Sequence, residues 1–467
     1  MSDKELYEKL TIKSEPVYKI VDSDEMTAVS DFSQGYKAFL NNAKTEREAT
    51  SLSEKLAIEA GFSKLDSFDT LKPGDKVYVI NRNKNILLAV IGTEDIENGL
   101  NLVGAHIDAP RLDLKQNPLY EKNSMAFLKT HYYGGIKKYQ WTAIPLSLHG
   151  VVHKTDGEMI NIVIGEDEND PVFTITDLLP HLADDQMKKP MYQAVEGEAL
   201  RILFGGYGIG DDEVSENVKF NILKLLNDKY GIDENSFFTA EIEIVPAFKA
   251  SDVGLDRAFI GSYAQDDRVC AYTALQAVLE VENPYKTAVC LLIDKEEIGS
   301  MGNTGMKSAF FRYTVAEIAQ KCGGCDLIKL NRILTNTQCL SADVGAAVDP
   351  TYDSVTEPGN SAYAGKGLLI TKYTGARGKS GSSDANAEFV GKVVKLFNDS
   401  KVVWQTGELG KVDGGGGGTI AQYVANLNID VIDCGVPILS MHSPFEISAK
   451  TDVYMAYKGY KAFYLSK

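Results

Sequence analysis

The sequence has few cysteines, no long apolar run and fewer basic than acidic residues. Six cysteines in 467 residues are too few for a disulfide scaffold, which predicts a reducing, cytoplasmic environment. No stretch approaches the roughly 18 apolar residues of a membrane span, so we expect no membrane partner. There are 65 acidic and 48 basic residues, giving a formal charge of -17. An acidic surface repels phosphate, so we expect no nucleic-acid partner.

The composition is that of a globular protein. Hydrophobic residues make up 44% of the chain and charged residues 24%, a balance that supplies a large core. A chain of this length is expected to contain two or three domains. Residues 1–19 are charged and lack the apolar stretch of a secretory signal peptide, so we expect no such signal there.

The order of local patterns predicts how the chain is organised. Apolar residues at three- and four-residue spacing predict helices within residues 1–70. Two β-rich runs on either side of residues 81–85 predict a hairpin. Residues 112–247 hold many short strand-like runs separated by turn residues, with one clear helical signal at 217–231. Alternating helices and strands then return. The predicted fold class is α/β, with a mostly parallel central sheet interrupted by a β-rich insertion.

Polar clusters follow several predicted strands, where ligands bind in sheets of this kind. His106 and Asp108 are two residues apart and lie on one face of an extended backbone, so the carboxylate can orient a metal-binding imidazole. The pair Asp266-Asp267 opens a predicted helix, where acidic residues are also common as helix caps.

Three further clusters extend this pattern. Glu296 and Glu297 follow a buried run, Asp343 follows another, and His442 lies in a loop after a third. Each cluster alone has an ordinary structural explanation. Together they supply two histidines and three acids, a set suited to two zinc ions, and Glu296 is left for proton transfer.

The motifs GAHIDAP, AQDDR, DKEEIG, SADVG and LSMHS, in this order, resemble those of the aspartyl aminopeptidase family of dinuclear metallopeptidases. The resemblance covers roughly residues 30–460. It implies a three-layer α/β/α, zinc-peptidase-like catalytic domain formed by 1–111 and 248–467. It also implies that 112–247 is an inserted β-rich domain used for dimerisation.

The resemblance implies a ligand set for two divalent ions per subunit. His106 and Asp343 would complete one metal centre, Glu297 and His442 the other, and Asp266 would bridge them. Zinc suits these ligands best, and manganese and cobalt also accept carboxylate and imidazole.

The resemblance also implies roles around the metals. Glu296 would be the general base, and Asp108 would orient His106. Lys372 occupies the place of a family lysine that contacts substrate. In the family a histidine from a neighbouring subunit's insertion reaches the active site; His181 is the candidate here, and His131 is the alternative.

The activity implied is removal of single N-terminal residues from peptides that have a free N-terminus. Both acidic and neutral first residues are open as substrates. The family assembles dimers into dodecamers, and we expect Tyr132, Tyr133 and Trp141 to supply aromatic subunit contacts. One alternative is a carboxypeptidase or deacylase on the same scaffold, with Arg377 recruited to a substrate carboxylate. A second is a non-catalytic assembly protein that keeps the fold.

Two other motifs are weaker signals. Cys322 and Cys325 form a C-x-x-C pair, but a zinc ribbon needs a second pair, so we interpret this segment as a turn. Gly414 to Gly418 lack the Lys-Ser/Thr of a nucleotide-binding loop, and we interpret them as a flexible segment close to the active site.

Overall fold

The computed structural model describes residues 2–12, 14–211 and 213–467. The helices are α1 (Asp3–Leu10), α2 (Ser23–Asn42), α3 (Glu46–Glu59), α4 (Asp184–Met187), α5 (Met191–Ala194), α6 (Asn217–Tyr230), α7 (Gln265–Leu279), α8 (Phe310–Lys321), α9 (Leu327–Asn336), α10 (Ala387–Asp399), α11 (Ala421–Ala425) and α12 (Lys450–Tyr464). No helix in the described ranges is long and apolar enough to span a membrane.

The described residues contain 23 strands. They are β1 (Ser63–Lys64), β2 (Lys76–Asn81), β3 (Asn85–Val90), β4 (Leu100–His106), β5 (Arg111–Lys122), β6 (Met125–Tyr133), β7 (Leu146–His153), β8 (Met159–Ile164), β9 (Thr174–Ile175), β10 (Arg201–Gly205), β11 (Ala240–Pro246), β12 (Ser251–Val253), β13 (Phe259–Ser262), β14 (Thr287–Ile293), β15 (Gln338–Ser341), β16 (Gly345–Ala346), β17 (Leu368–Thr371), β18 (Gly375–Ala376), β19 (Trp404–Thr406), β20 (Gly416–Gly417), β21 (Asp430–Gly435), β22 (Pro437–Leu439) and β23 (Glu446–Ala449).

A nine-stranded sheet, in the order β1-β2-β3-β14-β4-β15-β21-β17-β19, forms the centre of the molecule. Strands β14, β4, β15 and β21 run parallel to one another. The antiparallel β2–β3 hairpin, closed by the pair Asn81 and Asn85, joins them at β14. The α/β class, the parallel centre and the hairpin are therefore confirmed.

Helices cover both faces of this sheet, because its inner strands are apolar on both sides. Along β3, Ile86 and Leu88 pack in one core and Leu87 and Ala89 in the other. The first core includes side chains from α2, α7, α10 and α12, and the second includes side chains from α8, α9 and α11. The result is a three-layer α/β/α arrangement.

A second, seven-stranded sheet has the order β8-β7-β11-β5-β6-β10-β9, and its pairings are antiparallel. Its strands lie within residues 111–246, and α6 packs on it to form a separate core. Trp141 is completely buried in that core, with its ring edge-on to Tyr263. Our expectation that Trp141 makes a subunit contact is therefore wrong, because its ring fills the interior of the insertion. Tyr132 is 43% exposed.

Candidate metal centre

The polar residues gather where the parallel strands end. His106 is the last residue of β4, Glu296 and Glu297 follow β14, and Asp343 follows β15. These three strands are neighbours with parallel register, so their carboxyl ends meet at one edge of the sheet.

Two residues reach this edge from outside the sheet. Asp266 lies at the start of α7, where its backbone is not yet helical (φ -83°, ψ 108°). His442 follows β22 and has a left-handed backbone with φ 63°. Asp267 is fully buried beside Asp266, but neither of its carboxylate oxygens has a hydrogen-bond partner among the described residues.

Three side chains form one half of the cluster. His106 Nε2 lies 3.1 Å from Asp266 Oδ1 and 3.8 Å from Asp343 Oδ1. The ligand atoms of this group all lie within 4.8 Å of one another, close enough to surround one cation. The imidazole is buried, so its polar nitrogen needs these partners.

The other half uses the opposite oxygen of the same aspartate. His442 Nε2 lies 3.2 Å from Asp266 Oδ2 and 3.5 Å from Glu297 Oε1. These ligand atoms also lie within 4.8 Å of one another. Asp266 is thus common to both groups and presents one oxygen to each.

The electrostatics of the cluster suit cations. Burial, followed by repulsion from Asp267, raises the pKa of Asp343 well above its ordinary value. Burial and the charge of Asp266 do the same for Glu297, whose Oε1 is buried without a hydrogen-bond donor. Divalent ions would supply the missing positive charge, and carboxylate and imidazole are ligands that zinc accepts. The donor set therefore fits the metal that the motifs imply.

Glu296 lies beside the cluster but belongs to neither ligand group. Its Oε2 is 4.0 Å from His106 Nε2. Burial is the main cause that raises the pKa of Glu296 to about 7. A carboxyl group that lies beside both ligand groups without belonging to either is placed to accept and release a proton, as a general base must.

Asp108 connects several parts of the centre. On the side of the ring away from Asp266, His106 Nδ1 lies 3.1 Å from the backbone carbonyl oxygen of Asp108 and 3.2 Å from its Oδ1. The two carboxylate oxygens of Asp108 also accept the backbone N–H groups of Glu296 (3.0 Å) and Glu297 (3.2 Å). Although burial alone would raise it, the hydrogen bond with His106 holds the pKa of Asp108 below its usual range. Asp108 is therefore ionised and placed to orient the imidazole.

A cavity of about 850 Å³ opens onto the cluster. Arg377, Lys379 and the glycines 415–418 line it, in keeping with the expected closeness of the glycine run to the site. Lys379 pairs with Asp384 at 3.2 Å, and its Nζ lies 3.7 Å from the centre of the Tyr373 ring.

The weaker candidates lie away from the cluster in the single chain. Lys372 is exposed and is not among the residues lining the cavity, whereas Thr371 and Tyr373 on either side of it are. His181 and His131 are exposed side chains of the insertion and belong to neither ligand group. Among the described residues, neither histidine forms a hydrogen bond or an ion pair with the cluster of its own chain.

Sequence reasoning missed two residues that contact the cluster. Glu446, at the start of β23, is 1% exposed and accepts backbone N–H groups from the segments that carry Asp266 and His442. Its position four residues after His442 was the available signal. Tyr133 was considered only as a surface aromatic, but its hydroxyl donates to Asp108 Oδ2 at 2.8 Å.

Comparison with known proteins also indicates a zinc aminopeptidase. Residues 39–464 match the family model described as aminopeptidase I zinc metalloprotease (M18). A probable M18 family aminopeptidase 1 of Clostridium acetobutylicum is 51% identical over 446 residues, covering 95% of this chain and 96% of the relative.

Solved structures agree in fold. The crystal structure of an M18 family aminopeptidase from Thermotoga maritima matches with a TM-score of 0.94 at 46% identity, covering 97% of this chain and 99% of that one. The structure described as an S. cerevisiae mApe1 dodecamer matches with a TM-score of 0.75 at 20% identity, covering 93% and 96%. At that identity the second match shows the fold alone.

Proposed function

The chain belongs to the M18 family of aminopeptidase I zinc metalloproteases, and from this premise we propose a dinuclear mechanism for its site. Family membership makes the protein a metal-dependent aminopeptidase, an enzyme that hydrolyses peptide bonds. The proposal adds that two ions bind per subunit, with zinc in both positions and manganese or cobalt as substitutes.

One observation carries the proposal: the two ligand groups share Asp266. His106 and Asp343 would complete one metal position, and Glu297 and His442 the other. The distances from the Asp266 oxygens to the two histidine Nε2 atoms, 3.1 and 3.2 Å, support a carboxylate that faces both positions at once. Although burial alone would raise it, these two imidazoles hold the pKa of Asp266 well below its usual range, so the bridge is ionised.

The surrounding residues transfer protons and orient the ligands. When bound, the ions supply Lewis acidity that polarises the scissile carbonyl and acidifies water. The Glu296 carboxylate accepts the proton of the attacking water and delivers it to the departing amine. Asp108 keeps His106 in one orientation throughout, since it holds the Nδ1 side of the ring.

The proposed substrate is a peptide with a free N-terminus, from which one residue is removed. Acidic and neutral first residues both stay candidates. Arg377 lines the cavity and has no ion-pair partner among the described residues, which suits an acidic side chain or a substrate carboxylate. Lys372 stays a proposed substrate contact. Its exposed side chain has to turn toward the cavity to make that contact.

We assign residues 1–111 and 248–467 to the catalytic domain and 112–247 to a dimerisation domain. Leu182, Met187, Met191 and Tyr192 are largely exposed apolar side chains of the insertion, which supports burial in a subunit contact. The mApe1 neighbour is described as a dodecamer. We propose the same assembly from dimers here, with the partner subunit's His181 or His131 entering the site. All six cysteines are free, which suits a cytoplasmic location.

Peptides that differ only in the first residue test the activity. The panel contains Asp, Glu, Leu, Lys and Ala, each with a free and a blocked N-terminus, with and without a chelator. We expect chelator-sensitive release of one residue from the free peptides, and the ranking decides between acidic and neutral preference. Cleavage of the blocked peptides would instead favour the carboxypeptidase or deacylase. A protein that binds two zinc ions and cleaves neither set would be a non-catalytic assembly protein.

A further inference from the structure

We propose that the segment 133–135, where the chain leaves β6 of the insertion, orients both histidines of the metal centre. The inference rests on the ligand assignment above. It gives the insertion a positioning role inside its own subunit, separate from any contact between subunits.

The first contact acts on His106 through a carboxylate. The Tyr133 hydroxyl donates to Asp108 Oδ2 at 2.8 Å. The other carboxylate oxygen of Asp108 lies 3.2 Å from His106 Nδ1, beside the Asp108 backbone carbonyl oxygen at 3.1 Å. The Tyr133 ring is itself fixed, because the Arg111 guanidinium stacks 3.9 Å from its centre. Asp108 therefore receives its orientation partly from a residue of the insertion.

The second contact acts on His442 directly. The Gly135 carbonyl oxygen lies 2.9 Å from His442 Nδ1 and accepts a hydrogen bond when that nitrogen is protonated. A proton on Nδ1 leaves Nε2 as the free nitrogen, and Nε2 faces Asp266 and Glu297. The tautomer needed for metal binding is thus the one that Gly135 favours.

The two glycines allow this close approach. A Cβ atom on Gly135 would lie 3.2 Å from His442 Nδ1, and one on Gly134 would lie 3.3 Å from Glu297 Oε2. Gly134 also has a positive φ of 75°, a conformation that other residues adopt with strain. Any side chain here would push on a proposed ligand of the second metal position.

The segment is anchored on the insertion sheet by buried charges. Tyr133 pairs with Arg111 across β5 and β6. The Arg111 guanidinium lies 3.2 Å from Glu243 of β11 and 3.6 Å from Glu46 of α3. The anchor thus joins the insertion to the helical layer, and it holds 133–135 at a constant distance from the metal centre.

The test measures zinc binding by Tyr133→Phe and Gly135→Ala, using competition with a chromophoric chelator. Tyr132→Phe is the matched control, because it removes the same hydroxyl group from the neighbouring residue, whose ring is exposed. Tyr133→Phe removes the hydroxyl that holds Asp108, and the Cβ of Gly135→Ala would lie 3.2 Å from His442 Nδ1 and push the ring aside. We expect each variant to weaken one of the two zinc sites by roughly 10–100-fold, the loss typical when the surroundings of a metal-binding histidine are disturbed. Tyr132→Phe should bind both ions like the wild type.

The same two substitutions, made in a variant that already carries His442→Ala, show which metal position each of them affects. His442→Ala should leave only the position of His106 and Asp343. In that background Tyr133→Phe should still weaken binding, and Gly135→Ala should have no further effect. The visible spectrum of the Co²⁺-loaded proteins gives an independent readout of ligand geometry, which a loss of general stability would not change in the folded fraction.

The outcomes separate the two proposals. Wild-type affinities and Co²⁺ spectra in both Tyr133→Phe and Gly135→Ala would overturn the positioning role and leave the dinuclear site intact. A wild-type protein that binds fewer than two ions would instead overturn the ligand assignment. If Gly135→Ala does not fold, Tyr133→Phe decides alone, since it removes one hydroxyl and keeps the ring.

Discussion

The Glu446 carboxylate accepts the backbone N–H of Asp266 at 3.0 Å, although the two residues are 180 positions apart in the chain. Its other oxygen accepts the backbone N–H of His442 at 2.7 Å. One buried side chain thus holds together the start of α7 and the loop after β22. These segments carry the shared aspartate and one of the histidines of the proposed metal centre.

Replacing Glu446 with Gln should weaken that arrangement without removing a metal ligand. The amide keeps one acceptor oxygen but turns a donor toward a backbone N–H, which leaves a buried donor unpaired. We expect activity to fall roughly 10–100-fold, with weaker zinc binding at the position of His442. Steady-state kinetics and zinc titration measure both effects. Glu388→Gln, an exposed change on α10, should behave like wild type; equal behaviour of the two variants would contradict the prediction.

Glu296→Gln should separate proton transfer from metal binding. The residue lies outside both ligand groups, so both zinc ions should be retained. We expect kcat to fall roughly 10²–10⁴-fold, the loss typical for a general base. Elemental analysis of the purified protein measures the metal. The adjacent Glu297→Gln should instead lose zinc at one position, and a Glu296→Gln enzyme with a tenth or more of wild-type turnover would refute the assignment.

His181→Ala tests the histidine proposed to act between subunits. The side chain is exposed in the single chain, so the substitution should leave folding and assembly unchanged. We expect kcat/KM to fall, and light scattering should show the same particle mass. His153→Ala, which also removes an exposed insertion histidine, should not change kcat/KM. If His131→Ala lowers kcat/KM and His181→Ala does not, the role moves to His131.

Asp452 should make the stability of the fold depend on pH. The carboxylate is completely buried and accepts backbone N–H groups of Gly365 (2.6 Å) and Gly367 (2.7 Å). Burial raises the pKa of Asp452 to about 7. Between about pH 4 and 7 the unfolded chain has released this proton while the folded protein keeps it. Stability therefore falls as the pH rises, by at most about 1.4 kcal/mol per pH unit.

The measurement compares thermal unfolding with that of Asp452→Asn, which cannot titrate. The difference in Tm, wild type minus variant, should decrease steadily as the pH rises through this window. Asp24→Asn changes an exposed carboxylate of α2 and serves as the control. A difference in Tm that stays constant with pH would show that Asp452 does not titrate in the folded protein.

Local patterns predicted much of the architecture. Short β-rich and apolar runs predict buried strands, so the hairpin closed at residues 81–85 and the strands β4 and β14 were readable from the sequence. The parallel arrangement then placed His106, Glu297 and Asp343 at one edge, because parallel neighbours end together. Their grouping in space follows from strand order, which the alternation of helices and strands indicated.

Contacts between distant segments were not readable. Trp141 is as compatible with an interface as with a core when only its neighbours in sequence are known, and the packing of the insertion sheet decides for the core. Thr371 and Tyr373 line the cavity, but Lys372 between them does not. In extended backbone successive side chains point to opposite faces, so a difference of one position turns a side chain away from the cavity.

The sequence by itself determined the α/β class, the family and the residue types available at the strand ends, because backbone preferences and burial patterns act over a few residues. Only the tertiary structure decided that Asp266 presents one oxygen to each ligand group and that Tyr133, Gly135 and Glu446 contact the ligand-bearing segments. Such orientations depend on hydrogen bonds between groups that are 25, 180 and 307 residues apart, and these donors and acceptors meet only when the sheets and helices have packed.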